Sequence, residues 1–243
     1  MKHGIILSGG NGTRLRPQTS VINKHLLSVG DKFIIDYPLQ SLRDLGVTHL
    51  TVVLGGSHFG QIISYFQNGN NFGFESVNFV FQQQPSGIAH AINLCKHCIP
   101  ANENFAVILG DNVFENKLSF KDENVAQIML ANHQSLTRFG VASFKDDKIV
   151  KIEEKPQELD ENYLNLAISG CYLFTPAFFE YFQEILPSAR GEFEITDIIK
   201  KYLEDDKLTY NLVGGLWSDA GTHESIAYLN YYFYLKEHTT AEL

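Results

Sequence analysis

The residues best suited to chemistry lie near the start of the chain, in Ser8-Gly9-Gly10-Asn11-Gly12-Thr13-Arg14-Leu15-Arg16-Pro17. This glycine-rich turn directly follows an apolar run at 4–7. Glycines let the backbone approach a ligand and turn successive N–H groups toward it, which makes a nest for anions. Arg14 stands in the turn, and Lys24 follows ten residues later. Two cations beside a nest of amides suit a triphosphate. They also suit the surface of an ordinary turn, and this segment alone leaves both readings open. The letters exclude two common phosphate loops. There is no G-x-x-x-x-G-K-S/T, and Gly10-Asn11-Gly12 runs into Thr13-Arg14-Leu15, so a dinucleotide fingerprint lacks its third glycine. The next apolar run ends in Gly55-Gly56, where a ribose-binding acid would be needed.

Other reactive types carry less. Cys95 and Cys98 form C-x-x-C around His97, but no second pair completes a metal site, and three cysteines exclude a disulfide framework. The pair reads as two small residues on a helix.

The elements that must hold the loop can be read from hydropathy. Short, largely apolar runs at 4–7, 50–54, 77–81 and 105–109 are expected for strands covered on both faces. Helical patterns fall between them at 35–45, 61–66 and 88–98. This alternation predicts an α/β fold with a parallel-dominated sheet and right-handed crossovers. The second half differs. Runs at 139–144 and 148–153 flank Lys145-Asp146-Asp147 as a hairpin, and 167–174 and 208–213 read as strands. Helices are expected from Pro176 to about 186, over 194–203 and over about 222–236. In the last helix Ile226, Leu229 and Phe233 make one stripe, while Tyr228, Tyr231, Tyr232, Tyr234 and Leu235 cover much of the rest. A helix apolar on most sides is expected to be buried on most sides. A subunit interface, where tyrosine is enriched, is the preferred cover, giving a homo-oligomer (dimer or tetramer).

Composition sets the limits. At 243 residues, 44% hydrophobic and 19% charged, the chain is neither disordered nor a coiled coil. A net charge of −9 is the wrong sign for generic binding to nucleic acid or anionic membrane. No apolar stretch approaches the roughly 20 residues of a membrane span. The first residues read as a strand rather than a signal peptide, so the cytoplasm is the expected location. With no linker, repeat or low-complexity segment, one domain over 1–243 is expected, in two halves of different character at about 1–120 and about 121–243.

Several blocks, in order along nearly the whole chain, resemble the signature of the sugar-1-phosphate nucleotidyltransferases. They are Gly9-Gly10-x-Gly12-Thr13-Arg14-Leu15-x-Pro17, Lys24-x-Leu26-Leu27, residues 82–91 (QQQPSGIAHA), Leu109-Gly110-Asp111-Asn112, Glu153-Glu154-Lys155-Pro156, residues 190–197 (RGEFEITD) and residues 217–223 (WSDAGTH). Within that family the chain is most similar to members that move a thymidylyl group from dTTP to glucose 1-phosphate. It looks like a short form without extra C-terminal helices, which puts feedback regulation through that region in doubt. The resemblance implies a Rossmann-like α/β domain with a central mixed, mostly parallel sheet and inserted sugar-binding strands, its half at about 1–120 binding nucleotide and its half at about 121–243 binding sugar and closing the site. It also implies in-line displacement at the α-phosphorus of dTTP, with pyrophosphate leaving. A phosphate monoester is already an anion at neutral pH, so alignment and charge stabilisation are the resources required.

The resemblance also assigns residues. Arg14 would stabilise charge on the leaving pyrophosphate, and Lys24 would reach the α-phosphate. Ser8, Gly9, Gly10, Gly12 and Thr13 would cradle the nucleotide. Gln82 would read the pyrimidine edge with its amide, aided by Pro85 and Gly87. Asp111 and Asp219 would hold Mg²⁺, which takes oxygen ligands and usually one or two carboxylates beside substrate phosphates. Lys155 would neutralise the incoming sugar phosphate and Glu154 would bind a sugar hydroxyl. Gly140, Ile168 and Arg190 would complete that site. Phe139 stands where many relatives carry Tyr, so one polar contact near the sugar is expected to be absent. His25 and His223 lie in matching blocks but are assigned no catalytic role. A same-fold enzyme using UTP, CTP or another phosphorylated acceptor is the near alternative. A non-catalytic nucleotide-sugar sensor is the distant one, and the presence of Arg14, Lys24, Asp111 and Asp219 argues against it.

Overall fold

A computed structural model describes residues 1–239. Along the chain it forms β1 (His3–Ser8), a small hairpin of β2 (Ser28–Val29) and β3 (Lys32–Phe33), α1 (Asp36–Asp44), β4 (His49–Leu54), α2 (Phe59–Phe66), β5 (Ser76–Phe81), α3 (Ile88–Asn93), β6 (Phe105–Leu109) and β7 (Asn112–Phe114). There follow β8 (Ala126–Ala131), β9 (Gly140–Lys145), β10 (Lys148–Glu154), β11 (Leu164–Phe174), α4 (Phe178–Tyr181), α5 (Ile195–Glu204), β12 (Leu208–Leu212), β13 (Trp217–Asp219) and α6 (His223–Thr239).

A nine-stranded mixed sheet runs in the order β10-β9-β11-β6-β1-β4-β5, with β8 pairing β11 and β12. The strands of the first half are parallel: β1 pairs both β4 and β6, and β4 pairs β5. The second half joins antiparallel through β11, which pairs β6, β8 and β9. Successive residues of one strand feed opposite layers, as the pleat requires. Ile5 packs with Ala89 and Ile92 of α3 and with Ile195 and Ile198 of α5. Ile6 packs with Leu39 and Leu42 of α1 and Ile62 and Phe66 of α2. Helices on both faces leave the carboxyl ends of β1, β4 and β6 open at one edge, where α/β sheets bind ligands.

The apolar runs of the first half lie where their patterns place them. Several segments of the chain depart from expectation. The helix expected over 88–98 is α to Asn93 only and ends in a 3₁₀ turn at Lys96–Cys98. The helix expected from Pro176 to about 186 is one turn, Phe178–Tyr181, with a further bend at its end. Residues 126–131, which the sequence reading leaves unassigned, form a wholly buried strand held between β11 and β12. The last helix is not covered on most sides. Leu229 is fully buried among Val29, Ile34, Val113 and Ala220, whereas Tyr228, Tyr231 and Tyr234 are 52–62% exposed.

Candidate active site

The glycine loop leaves the end of β1 and passes over the end of β4. Gly10 has a positive φ of +89° and open space where a Cβ would stand. A Cβ on Gly56 would lie 2.6 Å from the Gly10 carbonyl oxygen. The glycine pair closing β4, which replaces a ribose-binding acid, therefore gives the loop room. Gly12 faces inward: a Cβ there would sit 2.9 Å from Thr19 and 3.1 Å from Lys24 Cβ. Thr19 Oγ1 donates to the Gly12 carbonyl at 2.7 Å, so the loop is tied down beside Lys24. Arg14 lies in a 3₁₀ turn, Thr13–Leu15, anchored by buried Leu15.

Two short strands bring the two aspartates together. β7 pairs β13 antiparallel, with Asn112 opposite Asp219, and Ala220 N–H donates to the Asp111 carbonyl at 2.7 Å. Buried Asn112 ties this ladder to the sheet. Its Oδ1 accepts from Trp217 Nε1 (2.7 Å) and Gly170 N–H (3.1 Å), and its Nδ2 donates to Asp111 Oδ1 (3.1 Å). Each aspartate carries a cation. Lys24 Nζ donates to Asp111 Oδ2 at 2.7 Å, and Arg138 Nη2 lies 3.3 Å from Asp219 Oδ2. Arg14 is close by, since a Cβ on Gly221 would lie 2.8 Å from Asp219 Oδ2 and 3.1 Å from Arg14 Nη2.

Burial opposes the charge on Asp111, but the Lys24 ammonium and the Asn112 amide outweigh it and hold the carboxyl well below the usual range. Behind this pair, His25 is buried, and its Nδ1 lies 2.8 Å from Asn23 Oδ1 and 3.1 Å from Ser8 Oγ. Burial, with Lys24 beside it, pushes the imidazole down to about 3, so His25 is a neutral packing group at physiological pH.

The cleft has two joined compartments that share Ile88, Leu109, Asp111, Glu154, Lys155 and Ile195. The smaller, about 290 Å³, is lined by Gly9, Gly10, Lys24, Gln82, Pro85 and Gly87. The larger, about 540 Å³, is lined by Arg14, Gly140, Ile168 and Asp219 among others. Most of the residues expected for nucleotide and for sugar thus divide between two chambers with the Asp111 wall in common. Arg14 opens onto the larger chamber. Ser8, Gly12 and Thr13 line neither; Ser8 is buried against His25, and Gly12 is used for packing. Arg190 lines the smaller chamber and is held by carboxylates, with Nη2 2.9 Å from Glu194 Oε1 and 3.4 Å from Glu154 Oε1.

On the larger side Gly140 of β9 pairs with Glu154 of β10. A Cβ on Gly140 would sit 2.8 Å from Thr196 and 3.4 Å from Glu154 Oε2. Lys155 has a positive φ of +42°, uncommon for a residue with a Cβ, and its N–H donates to the Phe139 carbonyl at 3.0 Å. Phe139 packs on Trp217 with centroids 5.0 Å apart. Sequence reasoning assigned no role to Arg138, Asn112 or Trp217. Asn112 and Trp217 stood in the family-like blocks, so position was the available signal; Arg138 stood beside Phe139 with no signal of its own.

The chambers together are lined by the cations Arg14, Lys24, Arg138, Lys155 and Arg190 and the acids Asp111, Glu154, Glu192, Glu194 and Asp219. The charges balance, so two phosphorylated substrates would need further positive charge. A Mg²⁺ ion fits that need. Among the described residues no three His, Cys, Asp or Glu side chains are grouped to hold a metal. Two aspartates supply the protein oxygens that Mg²⁺ ordinarily takes, leaving the remaining positions to phosphate and water.

The parallel sheet with its open carboxyl edge, the glycine loop and the inserted β9–β10 hairpin define a Rossmann-like nucleotidyltransferase fold. The chain belongs to the nucleotidyl transferase family, whose model matches residues 3–234. It is 35% identical over 235 residues to the low-salt glycan biosynthesis nucleotidyltransferase Agl11 of Haloferax volcanii, covering 93% of this chain and 64% of that protein. It is 35% identical over 233 residues to the glucose-1-phosphate thymidylyltransferase of Neisseria meningitidis, covering 92% of this chain and 79% of that one. A Bacillus anthracis protein assigned provisionally as a glucose-1-phosphate thymidylyltransferase, crystallised with sucrose, superposes with a TM-score of 0.84 at 38% identity. That match covers 96% of this chain and 95% of the other. The chain therefore spans about two thirds of one curated relative and more of the next. Among the described residues no helix is long and apolar enough to cross a membrane.

Proposed function

We propose that the chain transfers a thymidylyl group from dTTP to glucose 1-phosphate, giving dTDP-glucose and pyrophosphate. The observation that carries this reading is the shared wall. Asp111, Glu154 and Lys155 stand where a chamber built on the glycine loop and Gln82 meets one built on β9, β10 and β11, and Lys24 reaches Asp111 from the smaller side. The acceptor phosphate on one side and the α-phosphate on the other would meet there in line. Positioning and charge neutralisation then do the catalysis, with no base required. Lys155 offsets the charge of the acceptor, and Lys24, released from Asp111, turns to the α-phosphate. Arg14 stabilises the departing pyrophosphate. Mg²⁺, held by Asp111 and Asp219, would supply Lewis-acid withdrawal of charge from the phosphorus. Glu154, whose Oε2 lies 3.3 Å from Thr196 Oγ1, is placed to accept from a sugar hydroxyl. The names of the Neisseria and Bacillus relatives favour dTTP and glucose 1-phosphate among the substrates that this geometry suits.

Pyrophosphate release with Mg²⁺ and glucose 1-phosphate, compared across dTTP, UTP, CTP, ATP and GTP, tests the reading. Preference for dTTP is expected. Release with another nucleotide would keep the mechanism and overturn the base assignment. The exposed tyrosines of α6 support association between copies of the chain through that helix. Light scattering at micromolar concentration is expected to give a multiple of the single-chain mass, and a monomer would overturn it.

A further inference from the structure

Gln82 is not free to present either end of its amide. Its Nε2 lies 3.2 Å from the Gly87 carbonyl oxygen and 3.1 Å from His90 Nδ1. A carbonyl oxygen only accepts, so the end of the amide facing Gly87 is the NH₂ group. That NH₂ group must also donate to His90, which places the imidazole hydrogen on Nε2 and leaves Nδ1 bare. Both amide hydrogens are then used inside the protein. What remains is Oε1, which stands on the glycine-loop side: a Cβ on Gly9 would lie 3.7 Å from it. Among the described residues no donor is bonded to Oε1.

Two groups do this orienting, the Gly87 carbonyl and His90, and His90 is itself held. His90 lies on α3, with its ring stacked on Phe193 at 6.1 Å between centroids and 23° between planes. The Phe193 backbone is clamped to the same turn, accepting from Ala89 N–H (3.2 Å) and donating to the Ser86 carbonyl (2.9 Å). Gly87 admits that approach, with φ +98° and a Cβ position only 2.5 Å from the Phe193 carbonyl oxygen.

We infer that His90 is a positioning residue that, together with the Gly87 carbonyl, holds the Gln82 amide as an acceptor only, and so selects a base with an imide N–H over cytosine. Thymine and uracil offer N3–H to Oε1. Cytosine offers a bare N3, which would set lone pair against lone pair. This rests on the reading of the smaller chamber as the nucleotide site, and it extends that reading from a donor-and-acceptor glutamine to an oriented one.

The test is calorimetric binding of dUTP and dCTP with Mg²⁺, since this pair differs only at the base edge. The wild type is compared with His90→Phe, which keeps a ring against Phe193 but removes the acceptor, and with His90→Asn, whose Oδ1 can stand near the place of Nδ1. The wild type is expected to favour dUTP by at least tenfold, as sites built around a specific hydrogen bond reject the mismatched group. His90→Phe leaves the amide only the 3.2 Å Gly87 contact and should lower that ratio by at least about threefold, and His90→Asn should restore it. A merely structural role would weaken both nucleotides together and leave the ratio alone. An unchanged ratio in His90→Phe, or equal binding by the wild type, would overturn the inference. If pyrophosphate release fails with every nucleotide while this His90-dependent ratio holds, the transfer reaction falls and the base selection stands. If the wild type binds neither nucleotide, both fall.

Discussion

At the scale of single residues, the site separates groups that wait from groups that are occupied. Arg14 is exposed and makes no ion pair among the described residues, so its removal should cost little stability. Arg14→Ala is expected to lower turnover by about a hundredfold or more, the scale for losing one preorganised charge-stabilising group, with its melting temperature unchanged. Near-normal turnover in a folded variant would remove Arg14 from the mechanism. Asp111 differs, because Lys24 and Asn112 both depend on it. Asp111→Asn should flatten the Mg²⁺ dependence and lower the rate together; a rate that still titrates with Mg²⁺ as before would refute the metal assignment. Much of this was legible in the letters, since Arg14, Lys24, Asp111 and Asp219 stand in recognisable blocks. What the letters hid was pairing. That Lys24 lies on Asp111 and Arg138 near Asp219 depends on chain segments 87 and 81 residues apart.

At the scale of elements, close backbone crossings hold the site. Gly87 is the clearest, because the Phe193 strand of chain lies directly against it. Gly87→Ala would need both a strained φ and a displaced backbone. It is expected to destabilise by about 2–4 kcal/mol in urea unfolding, more than a solvent-facing Gly→Ala at positive φ. A loss under 1 kcal/mol would mean that the 188–194 loop is not seated there. The β7–β13 ladder makes a second prediction. Asn112→Ala strands the Trp217 Nε1–H and the Gly170 N–H, two buried donors, and should cost on the order of 3 kcal/mol. The sequence announced the parallel strands of the first half because they are largely apolar. It announced β7 and β13 poorly, because three residues carry no periodicity and their pairing is non-local. Residues 126–131 were missed for a related reason: a short run interrupted by Gln127 has neither a clean two-residue nor a helical period and does not declare its type.

At the scale of the whole molecule, acid should loosen the fold through buried imidazole. His25 titrates near 3 when folded and near 6.5 when exposed, so the unfolded chain binds the extra proton below pH 6.5. Its stabilising contribution is full above pH 6.5 and declines as the pH falls toward 3. His3 and His133, both lowered by burial, act in the same direction. On the order of 3 kcal/mol should be lost from His25 alone between pH 7 and 4. A melting temperature that holds level over that range would contradict its burial as a neutral ring, and His25→Gln should make the profile shallower.

The balance of charge in the cleft bears on how a nucleotide arrives. Many phosphate-binding proteins draw their ligands in through a positive field, and salt slows the capture. This chain carries −9 overall and shows an approaching anion a mouth with no net charge. The far field repels, and no local excess of positive charge compensates. Added salt screens that repulsion over about 8–10 Å at moderate ionic strength. Stopped-flow association of the magnesium-chelated nucleotide should therefore hold steady or quicken as salt rises from 20 to about 150 mM, the reverse of electrostatic steering. Discrimination among the anions of a crowded solution would then come from fit after encounter, since the approach itself favours none of them.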